Sequence, residues 1–476
     1  MPAQHRKFQW ISPLLPLQWI DASWPLLATV ACVLTLTPGA ARSQDERAAP
    51  VKPPPRVAIY DPGSPVQRKV LKNGVTILVQ EERTSERVAG AVAVRMGSIY
   101  ETDDDAGRGQ VLIKSIVAGT QKRSPAELAL KLLAAGATLE SGAGPDMGQI
   151  TIATTREQVD PAIDLLAECV LEPSFPDTAV DASRQRALTV AAGENESPMK
   201  AAYSMYLGAM YRGSTLARPV AGTVSGIADC SRKDIAALHQ KYFVGGNMVV
   251  CFVGNFDGKK VMTRLEKAFA AAPRGAPLTP VAGDPIPLAA DTSMTAERDI
   301  LASCLTFGFA APGYTDPDYA AFKIIESYLA SPDRSPIAFW LPQRGLVGTV
   351  GVIYSPYPKR SSMAVYIASP PNRLGTARDT IAAVMGRLKT EPLDEGEWTA
   401  QLKRVQNGTF ANQNDPLVRA RSMSQCEVTG GGYDYPRRFE ESLLKLNPES
   451  VRAAAERWFT HSCEAIVTPV KGESKL

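Results

Sequence analysis

The stretch GRGQVLIKSIVAGTQ, residues 107–121, has the pattern of a short helix that could carry a metal site. Its apolar residues recur at helical spacing, and a Gly-Thr pair near its end is a helix stop. Zinc on one helix face needs two imidazoles four residues apart, and peptide hydrolysis needs a carboxylate that activates water. Gln110, Ile113 and Lys114 stand where these three groups would be required. The stretch is therefore either a zinc site that has lost its ligands or a helix that never had them.

The rest of the chain offers few other zinc ligands. Gln binds zinc poorly, Ile moves no proton, and Lys brings a positive charge to a cation site. The three histidines are His5, His239 and His461. The last two each lie beside an aromatic pair, with no His or Cys at ligand spacing. We predict that both pack as structural imidazoles at a helix end and hold no metal.

Length and composition indicate a folded chain of more than one domain. The 476 residues exceed what one ordinary core organises, which favours two domains. Hydrophobic residues make up 45% and charged residues 21%, as in globular proteins. The net charge is only +3, and Lys and Arg are interleaved with Asp and Glu. Nothing in this pattern predicts nucleic-acid binding.

The N-terminus has the pattern of an export signal. Basic residues precede an apolar core, and small residues follow, with cleavage expected near Ala41 or Ser43. The alternative is a membrane anchor, but the apolar run over 26–36 is shorter than the ~20 residues of a spanning helix. We predict a signal peptide at 1–43, a Pro-rich leader at 44–66, and an exported, periplasmic or secreted mature chain without a membrane span.

The cysteines show no metal or redox pattern. Their spacing contains no C-x-x-C pair, so neither a zinc ribbon nor a thioredoxin-like motif is indicated. Export would permit disulfides, but Cys251 and Cys304 lie in apolar, strand-like runs where a buried thiol is the simpler interpretation. Six cysteines remain after the signal: Cys169, Cys230, Cys251, Cys304, Cys426 and Cys463.

Alternating and helical patterns divide the rest of the chain into two similar parts. Strand-like alternation begins at Val70, and SPAELALKLLAAG has the capping and stop signals of a helix. Residues 272–292, crowded with Pro, Gly and Ala, predict a linker. The predicted domains are therefore 67–271 and 293–472.

The two parts end in matching segments. DIAALHQKYFVGGNMVVCFV begins at Asp234, and SVRAAAERWFTHSCEAIVTP begins at Ser450. Each predicts a capping residue, an Ala-rich helix, an aromatic pair, a turn and a strand. Because the segments hold the same place in each part, we predict a duplicated α+β unit, each copy an antiparallel sheet backed by helices.

Five stretches, in this order, give the chain its resemblance to a known family. They are LKNGVTILVQEE, MGSIYET, GTQKRSPAEL, ARPVAGT and YFVGGNMVVCFVGNF. Over residues 68–472 the chain resembles the M16 family of zinc metallopeptidases, which includes insulin-degrading enzyme, pitrilysin and the mitochondrial processing peptidase. The resemblance implies two homologous α+β domains and, in active members, a zinc-binding H-x-x-E-H helix.

Placed on the family's motif, this chain lacks the catalytic groups. Gln110 and Lys114 fall on the two His positions, and Ile113 falls on the general base. The family's downstream Glu ligand falls on Thr189 or Val190, and the nearest carboxylate lies four residues farther on. Four residues are more than one helical turn, so that carboxylate is not a simple replacement. The resemblance therefore implies a non-catalytic subunit.

The second domain of the family carries an Arg and a Tyr that grip substrate. In FWLPQRGLVGTV these positions fall on Leu341 and Gly348, so this function is also expected to be lost. Arg344 or Tyr354 could serve instead from a shifted position, because loops tolerate displacement.

Three functions follow from the resemblance. The first is an exported, catalytically silent subunit that pairs as a heterodimer with an active M16 homologue and helps to enclose peptide substrates. It would hold no cofactor, since the partner would bring the zinc. The second is a purely structural or peptide-binding protein without a peptidase partner, like the family's respiratory-complex core subunits. The third is a zinc metalloendopeptidase with an unrecognised metal site.

Overall fold

The structure is a computed structural model that describes residue 61, residues 63–281 and residues 283–470. The predicted signal at 1–43 and most of the leader at 44–66 lie outside the described residues. Among the residues that are described, no helix is both long enough and apolar enough to cross a membrane.

The described chain forms two β-sheets, one from each part of the sequence. The strands of the first are β1 (Gln67–Val70), β2 (Thr76–Glu81), β3 (Arg87–Val94), β4 (Thr138–Ala143), β5 (Gly148–Thr155) and β6 (Met248–Gly254). The strands of the second are β7 (Thr292–Arg298), β8 (Ser303–Pro312), β9 (Thr349–Tyr354), β10 (Arg360–Ser369) and β11 (Ser462–Pro469).

The helices pack around these sheets. Those of the first half are α1 (Arg108–Ser115), α2 (Pro125–Ala134), α3 (Val159–Leu171), α4 (Asp177–Glu196), α5 (Pro198–Met210), α6 (Val224–Ala228), α7 (Arg232–Tyr242) and α8 (Gly258–Phe269). Those of the second half are α9 (Tyr319–Ala330), α10 (Trp340–Gln343), α11 (Leu374–Thr390), α12 (Glu395–Phe410), α13 (Pro416–Val428), α14 (Tyr435–Lys445) and α15 (Pro448–Trp458).

Both sheets have the same topology. The strand order is β1-β2-β6-β3-β5-β4 in the first sheet and β7-β11-β8-β10-β9 in the second. Apart from the extra edge strand β1, the two orders correspond strand by strand, which confirms the predicted α+β class with two homologous units. The sheets are mixed rather than antiparallel, because β6 is parallel to β2 and β11 is parallel to β7. The last strand of each half returns after several helices, and such a crossover permits parallel pairing.

The matching segments at the end of each half fold alike. Asp234 and Ser450, the predicted capping residues, are the third residues of α7 and α15, and each closes a capping box with the N-cap residue before its helix. The second residue of each aromatic pair is the C-cap. Phe243 has φ −91° and ψ 58°, and Phe459 has φ −82° and ψ 60°. The duplication therefore extends to backbone conformation.

Each sheet is covered on one face by its own half and on the other by a helix of the opposite half. In the first sheet Ala89, Ala91 and Ala93 of β3 face α13, and such small side chains allow the helix to approach closely. In the second sheet Gly308 of β8 leaves room for the hydroxyl group of Tyr206 from α5. The central strands of both sheets are thus buried on two faces, and the halves are held together by an exchange of helices.

Candidate functional site

Helix α1 begins at a glycine that no other residue could easily replace. Gly107 has φ 96°, in the left-handed region, and a Cβ there would lie 2.7 Å from the Ala221 carbonyl oxygen and 2.9 Å from Gly222 Cα. The helix ends at Ser115, and a turn leads to Gly119, which has φ 154°. The predicted helix is present, but its regular part stops before the glycine that was expected to end it.

A buried carboxylate fixes the start of this helix. Glu101 is 2% exposed, and its two carboxylate oxygens accept hydrogen bonds from the Gly107 and Gly109 amides, both at 2.8 Å. The guanidinium of Arg218 donates to the Glu101 carbonyl oxygen at 2.6 Å and to that of Thr102 at 2.5 Å. Burial raises the pKa of Glu101, although the two amide hydrogen bonds oppose this. Glu101 therefore positions α1.

Sequence reasoning did not assign Glu101 or Arg218 a role. The signal was present in two of the stretches that carry the resemblance, MGSIYET and ARPVAGT, which contain these residues. A carboxylate shortly before a glycine-led helix is a possible acceptor for the unpaired amides of its first turn.

Gln110 joins the motif helix to two neighbouring segments. Its Nε2 donates to the carbonyl oxygens of Ala143, at 3.1 Å, and Val220, at 3.4 Å. Ala143 ends the edge strand β4, and Val220 lies in the loop before α6. At the position of the family's first imidazole, this side chain therefore donates to backbone carbonyls.

Ile113 and Lys114 complete the motif positions. Ile113 is fully buried in the core of the first half. The Nζ of Lys114 donates to the carbonyl oxygen of Ser141 in β4. Partial loss of hydration at the Lys114 ammonium lowers its pKa although the residue is exposed, and repulsion from Arg186 on α4 lowers it further. The second imidazole position thus holds a cation beside another cation.

The downstream ligand positions lie on α4, which packs against α1. Thr189 is exposed, and its hydroxyl donates to the Gln185 carbonyl oxygen of its own helix at 3.0 Å. Val190 is half-buried and lies one turn after Arg186, on the helix face that approaches Lys114. The nearest carboxylate on α4 after these positions, that of Glu194, forms an ion pair with Lys200 at 2.9 Å.

These residues do not fit a zinc site. Zinc in such a site is held by imidazoles and a carboxylate, whereas an amide, an ammonium and an aliphatic or hydroxyl side chain occupy the positions here. Glu140, whose negative charge raises the pKa of Lys114, forms an ion pair with the Arg421 guanidinium at 2.5 Å. Over the part of the chain that the structure describes, no three His, Cys, Asp or Glu side chains are grouped so that they could hold a metal ion.

The two described histidines differ in environment. His239 stacks on Phe243 at a centroid distance of 4.6 Å, contacts Phe175 edge-on, and places Nε2 2.8 Å from the Val170 carbonyl oxygen. Burial lowers its pKa. The predicted packing is confirmed for His239. It is wrong for His461, which is exposed because it lies after α15, in the turn that leads to β11.

The family's substrate-contact positions in the second half differ in their exposure to solvent. Leu341 is 1% exposed and packs in the core, whereas Gly348 is exposed and a Cβ there would meet open space. Arg344 is exposed, with its guanidinium 5.8 Å from the centre of the Trp340 ring. Tyr354 is buried, and its hydroxyl donates to the Pro312 carbonyl oxygen at 2.7 Å. Of the two proposed substitutes, Arg344 is the one whose side chain reaches solvent.

The cysteines stay apart from one another in this fold. All six of those described are buried free thiols, which confirms the interpretation given to Cys251 and Cys304. Burial raises the pKa of Cys169 and of Cys426 to about 12, so these thiols remain protonated and unreactive.

Two family models match this arrangement in chain order. The model described as insulinase, peptidase family M16, matches residues 76–224, and that described as the peptidase M16 inactive domain matches residues 229–405. The chain belongs to the M16 peptidase family. The first match includes the motif helix with Gln110, Ile113 and Lys114, so the replacements lie within a recognisable M16 domain.

Curated relatives of this M16 chain include proteins named as peptidases. An uncharacterized zinc protease of Rickettsia felis is 19% identical over 407 residues, covering 84% of this chain and 96% of that protein. One of Mycobacterium tuberculosis is 21% identical over 426 residues, covering 88% and 97%. The mitochondrial-processing peptidase subunit beta of Dictyostelium discoideum is 23% identical over 272 residues, covering 56% and 57%.

Solved structures share the fold. A protease from Helicobacter pylori has a TM-score of 0.79 at 17% identity, covering 85% of this chain and all of that one. A peptidase M16 inactive domain from Pseudomonas fluorescens has a TM-score of 0.76 at 19% identity, covering 86% and 99%. A chain of Complex III2 from Candida albicans has a TM-score of 0.71 at 15% identity, covering 85% and 96%. The M16 architecture is thus common to proteins with different names.

Proposed function

We propose that this protein is an exported, catalytically silent M16 subunit that pairs with a zinc-bearing homologue. It would supply the opposing wall of a chamber that encloses peptide substrates, while the partner holds the zinc. The observation that carries the proposal is the set of side chains at the motif positions, Gln110, Ile113 and Lys114, of which two donate to backbone carbonyls and one is core.

Peptide hydrolysis by this family's chemistry needs a metal to polarise the carbonyl and a base to activate water. Neither can be built from the groups on α1 and α4, because no imidazole or carboxylate stands at the motif positions. The amide of Gln110 and the ammonium of Lys114 are engaged with β4 and the loop before α6. A role for this chain in proteolysis would therefore require another chain to perform the chemistry.

The packing of the chain supports a role as one wall rather than as half of a shared core. The central strands of each sheet are already covered on both faces, by helices of their own half and by the exchanged α5 or α13. A partner would therefore meet the outer surface of a folded subunit. Arg344, exposed beside Trp340, is the side chain near the family's substrate-contact positions that is available to a peptide carboxylate or carbonyl.

Pairing with an active homologue is the step to test. The tagged mature chain would be purified with an exported homologue from the same organism that has an intact H-x-x-E-H motif, and peptide cleavage measured with and without this chain. We expect a complex that buries at least ~1,000 Å² and cleaves faster than the homologue alone. The homologue with its motif Glu changed to Gln is the matched control, since it should pair without cleaving.

The other outcomes separate the alternatives. A stable complex with an unchanged cleavage rate would favour the structural or peptide-binding role. Absence of association would remove the heterodimer for that partner. Chelator-sensitive cleavage by this chain alone would contradict catalytic silence and support an unrecognised metal site.

A further inference from the structure

A surface of the first half far from the motif helix is rich in lysine. It is formed by the exposed side of α8 and by the β1 edge with the turn that follows, and we call it the basic face. Lys72, Lys259, Lys260 and Lys267 are exposed there, and none of them forms an ion pair with a described residue. Four ammonium groups without an ion-pair partner on one surface create a local positive potential.

Direct contacts show that β1 and its turn run beside α8. The Gln67 amide approaches the start of the helix, where a Cβ on Gly258 would be 2.6 Å from its Nε2. Farther along, Lys69 Nζ is 2.6 Å from the Glu266 carboxylate. At the other end, the Asn73 amide donates to the carbonyl oxygens of Phe269, Ala270 and Ala272, at the end of α8 and just beyond it, at 2.9 to 3.3 Å. The lysines of both elements therefore belong to one surface.

The helix separates its apolar and basic sides. Val261, Leu265 and Phe269 pack into the core of the first half. Lys260 and Lys267, seven residues apart, lie on the opposite side by helical periodicity. A helix of this length, from Gly258–Phe269, extends about 18 Å. The charge is thus spread along a convex ridge.

The acids close to this ridge are already engaged. Glu266 pairs with Lys69, and Asp257 accepts hydrogen bonds from the Lys259 and Lys260 amides as the N-cap of α8. The other cation of the helix, Arg264, pairs with an aspartate of α3. Backbone hydrogen bonds leave the charge of Asp257 in place, so the four lysine ammonium groups exceed this one unpaired carboxylate by three positive charges.

We propose that the basic face binds the surface of an anionic phospholipid bilayer. Lysines near such a surface each contribute to binding through long-range attraction, without fixed partners. Lysine is depleted in protein–protein interfaces whereas arginine is enriched, so a lysine ridge suits lipid headgroups better than an acidic protein. The inference does not depend on the proposed peptidase partnership, because it concerns a different surface.

Vesicle binding tests the proposal. The mature chain, from residue 44, would be sedimented with vesicles of phosphatidylglycerol mixed with phosphatidylcholine, and with vesicles of phosphatidylcholine alone. We expect binding to the anionic vesicles only, lost at high salt because exposed charges are then screened. A variant with Gln at Lys72, Lys259, Lys260 and Lys267 should bind about 600-fold less, since each of the four lysines contributes roughly fivefold.

A matched variant keeps the result specific. Changing four exposed lysines on other surfaces to Gln removes the same charge, and this variant should bind like the wild type; the four are Lys131, Lys233, Lys403 and Lys445. Equal losses in both variants, or equal binding to neutral vesicles, would overturn the proposal. So would absence of binding by the wild-type chain at low salt, in which case an acidic protein becomes the better match for the face. Unchanged thermal unfolding of both variants would exclude misfolding as the cause.

Discussion

The two halves of the molecule each place a helix beside an edge strand, and the helices meet those edges differently. In the first half, α1 reaches β4 through Gln110 and Lys114, whose side chains donate to backbone carbonyls of that strand. In the second half, α9 packs beside β9. There the ammonium of Lys323 pairs with Glu326 of its own helix and lies 5.9 Å from the centre of the Tyr354 ring.

This difference shows what the shared topology requires. Because α9 packs against its edge strand while its lysine pairs within the helix, hydrogen bonds from helix to strand are not a condition of the fold. The polar contacts of Gln110 and Lys114 are therefore particular to the half in which M16 enzymes carry their metal helix. In this chain those positions connect α1 to its surroundings.

The start of α1 should give the largest effect. Glu101→Ala leaves the Gly107 and Gly109 amides buried without their acceptor, and we expect a loss of about 3 kcal/mol in the free energy of unfolding. Glu101→Gln keeps an acceptor oxygen and should lose about half of that. The residue to compare with Glu101 in the second half is Asp318, the N-cap of α9. Its carboxylate accepts a hydrogen bond from Trp458 Nε1 at 2.9 Å.

Urea unfolding would measure all three variants. We expect Asp318→Ala to cost only about 1 kcal/mol, because the groups it leaves are partly exposed. Equal losses for Glu101→Ala and Asp318→Ala would show that the two helices are anchored alike, and would contradict the difference between the halves.

The bond from α1 to β4 should give the next effect. Gln110→Ala removes the donor to the Ala143 and Val220 carbonyls, and we expect a loss of about 1 to 2 kcal/mol with faster amide exchange along β4. Thr189→Ala is the matched control at another motif position, where the hydroxyl is exposed and bonds within its own helix. Its effect should stay within about 0.5 kcal/mol. An unchanged exchange rate at β4 in Gln110→Ala would contradict the role of this side chain.

Much of the fold could be predicted from the sequence because it is encoded by local periodicity. Strand alternation, capping signals and the repeated segments led to the α+β class and the duplication. The exchange of α5 and α13 was not predicted, because a periodic pattern shows that a face is buried and not which helix covers it. The alanines of β3 at 89, 91 and 93 indicate close packing on that face, but they do not identify α13 as its partner.

The site was predicted only in part, for a similar reason. Spacing identified Gln110, Ile113 and Lys114, but two of their partners are the backbone carbonyls of Ala143 and Ser141. Every residue has such a carbonyl, so its role depends on tertiary structure and leaves no mark in the sequence. The parallel pairs in the two sheets were missed likewise, since strand direction follows from the path of the connecting helices.

The histidines near the end of each half allow a smaller test by pH. Burial between Phe175 and Phe243 lowers the pKa of His239 below its ordinary 6.5, so the unfolded chain binds the proton more tightly. Its contribution to stability is therefore complete above pH 6.5 and is lost as the pH falls toward the folded pKa. The slope is at most about 1.4 kcal/mol per pH unit for one proton.

Unfolding measured between neutral and acidic pH, for the wild type and for His239→Gln, would show this as a difference that shrinks on acidification. His461→Gln is the control from the second half, because that side chain is exposed. If His461→Gln changed the pH dependence as much as His239→Gln did, burial of His239 would not be the cause.

The smallest effect is expected from rebuilding the motif. We predict that the wild-type mature chain retains less than one zinc per chain after mild dialysis, and that Gln110→His, Ile113→Glu and Lys114→His together give little chelator-sensitive peptidase activity. The triple variant would still lack the anionic ligand on α4, and zinc-bound imidazoles also need hydrogen-bond partners that orient them. Elemental analysis and a peptide-cleavage assay against an intact family member would measure both.

The position of the missing ligand can be resolved by adding one carboxylate to the triple variant. Arg186 acts on Lys114 from α4, and Val190 lies one turn after it, so Val190→Glu points a carboxylate to the rebuilt imidazoles. Thr189→Glu is the matched control, because one residue rotates a helix position by about 100° and this residue is exposed. We expect the variant with Val190→Glu to retain more zinc than the triple variant, and the one with Thr189→Glu to retain no more. If the triple variant alone instead matched the activity of an intact family member, that result would mean that another residue supplies the fourth ligand. The first half would then be closer to a working site than its contrast with the second half implies.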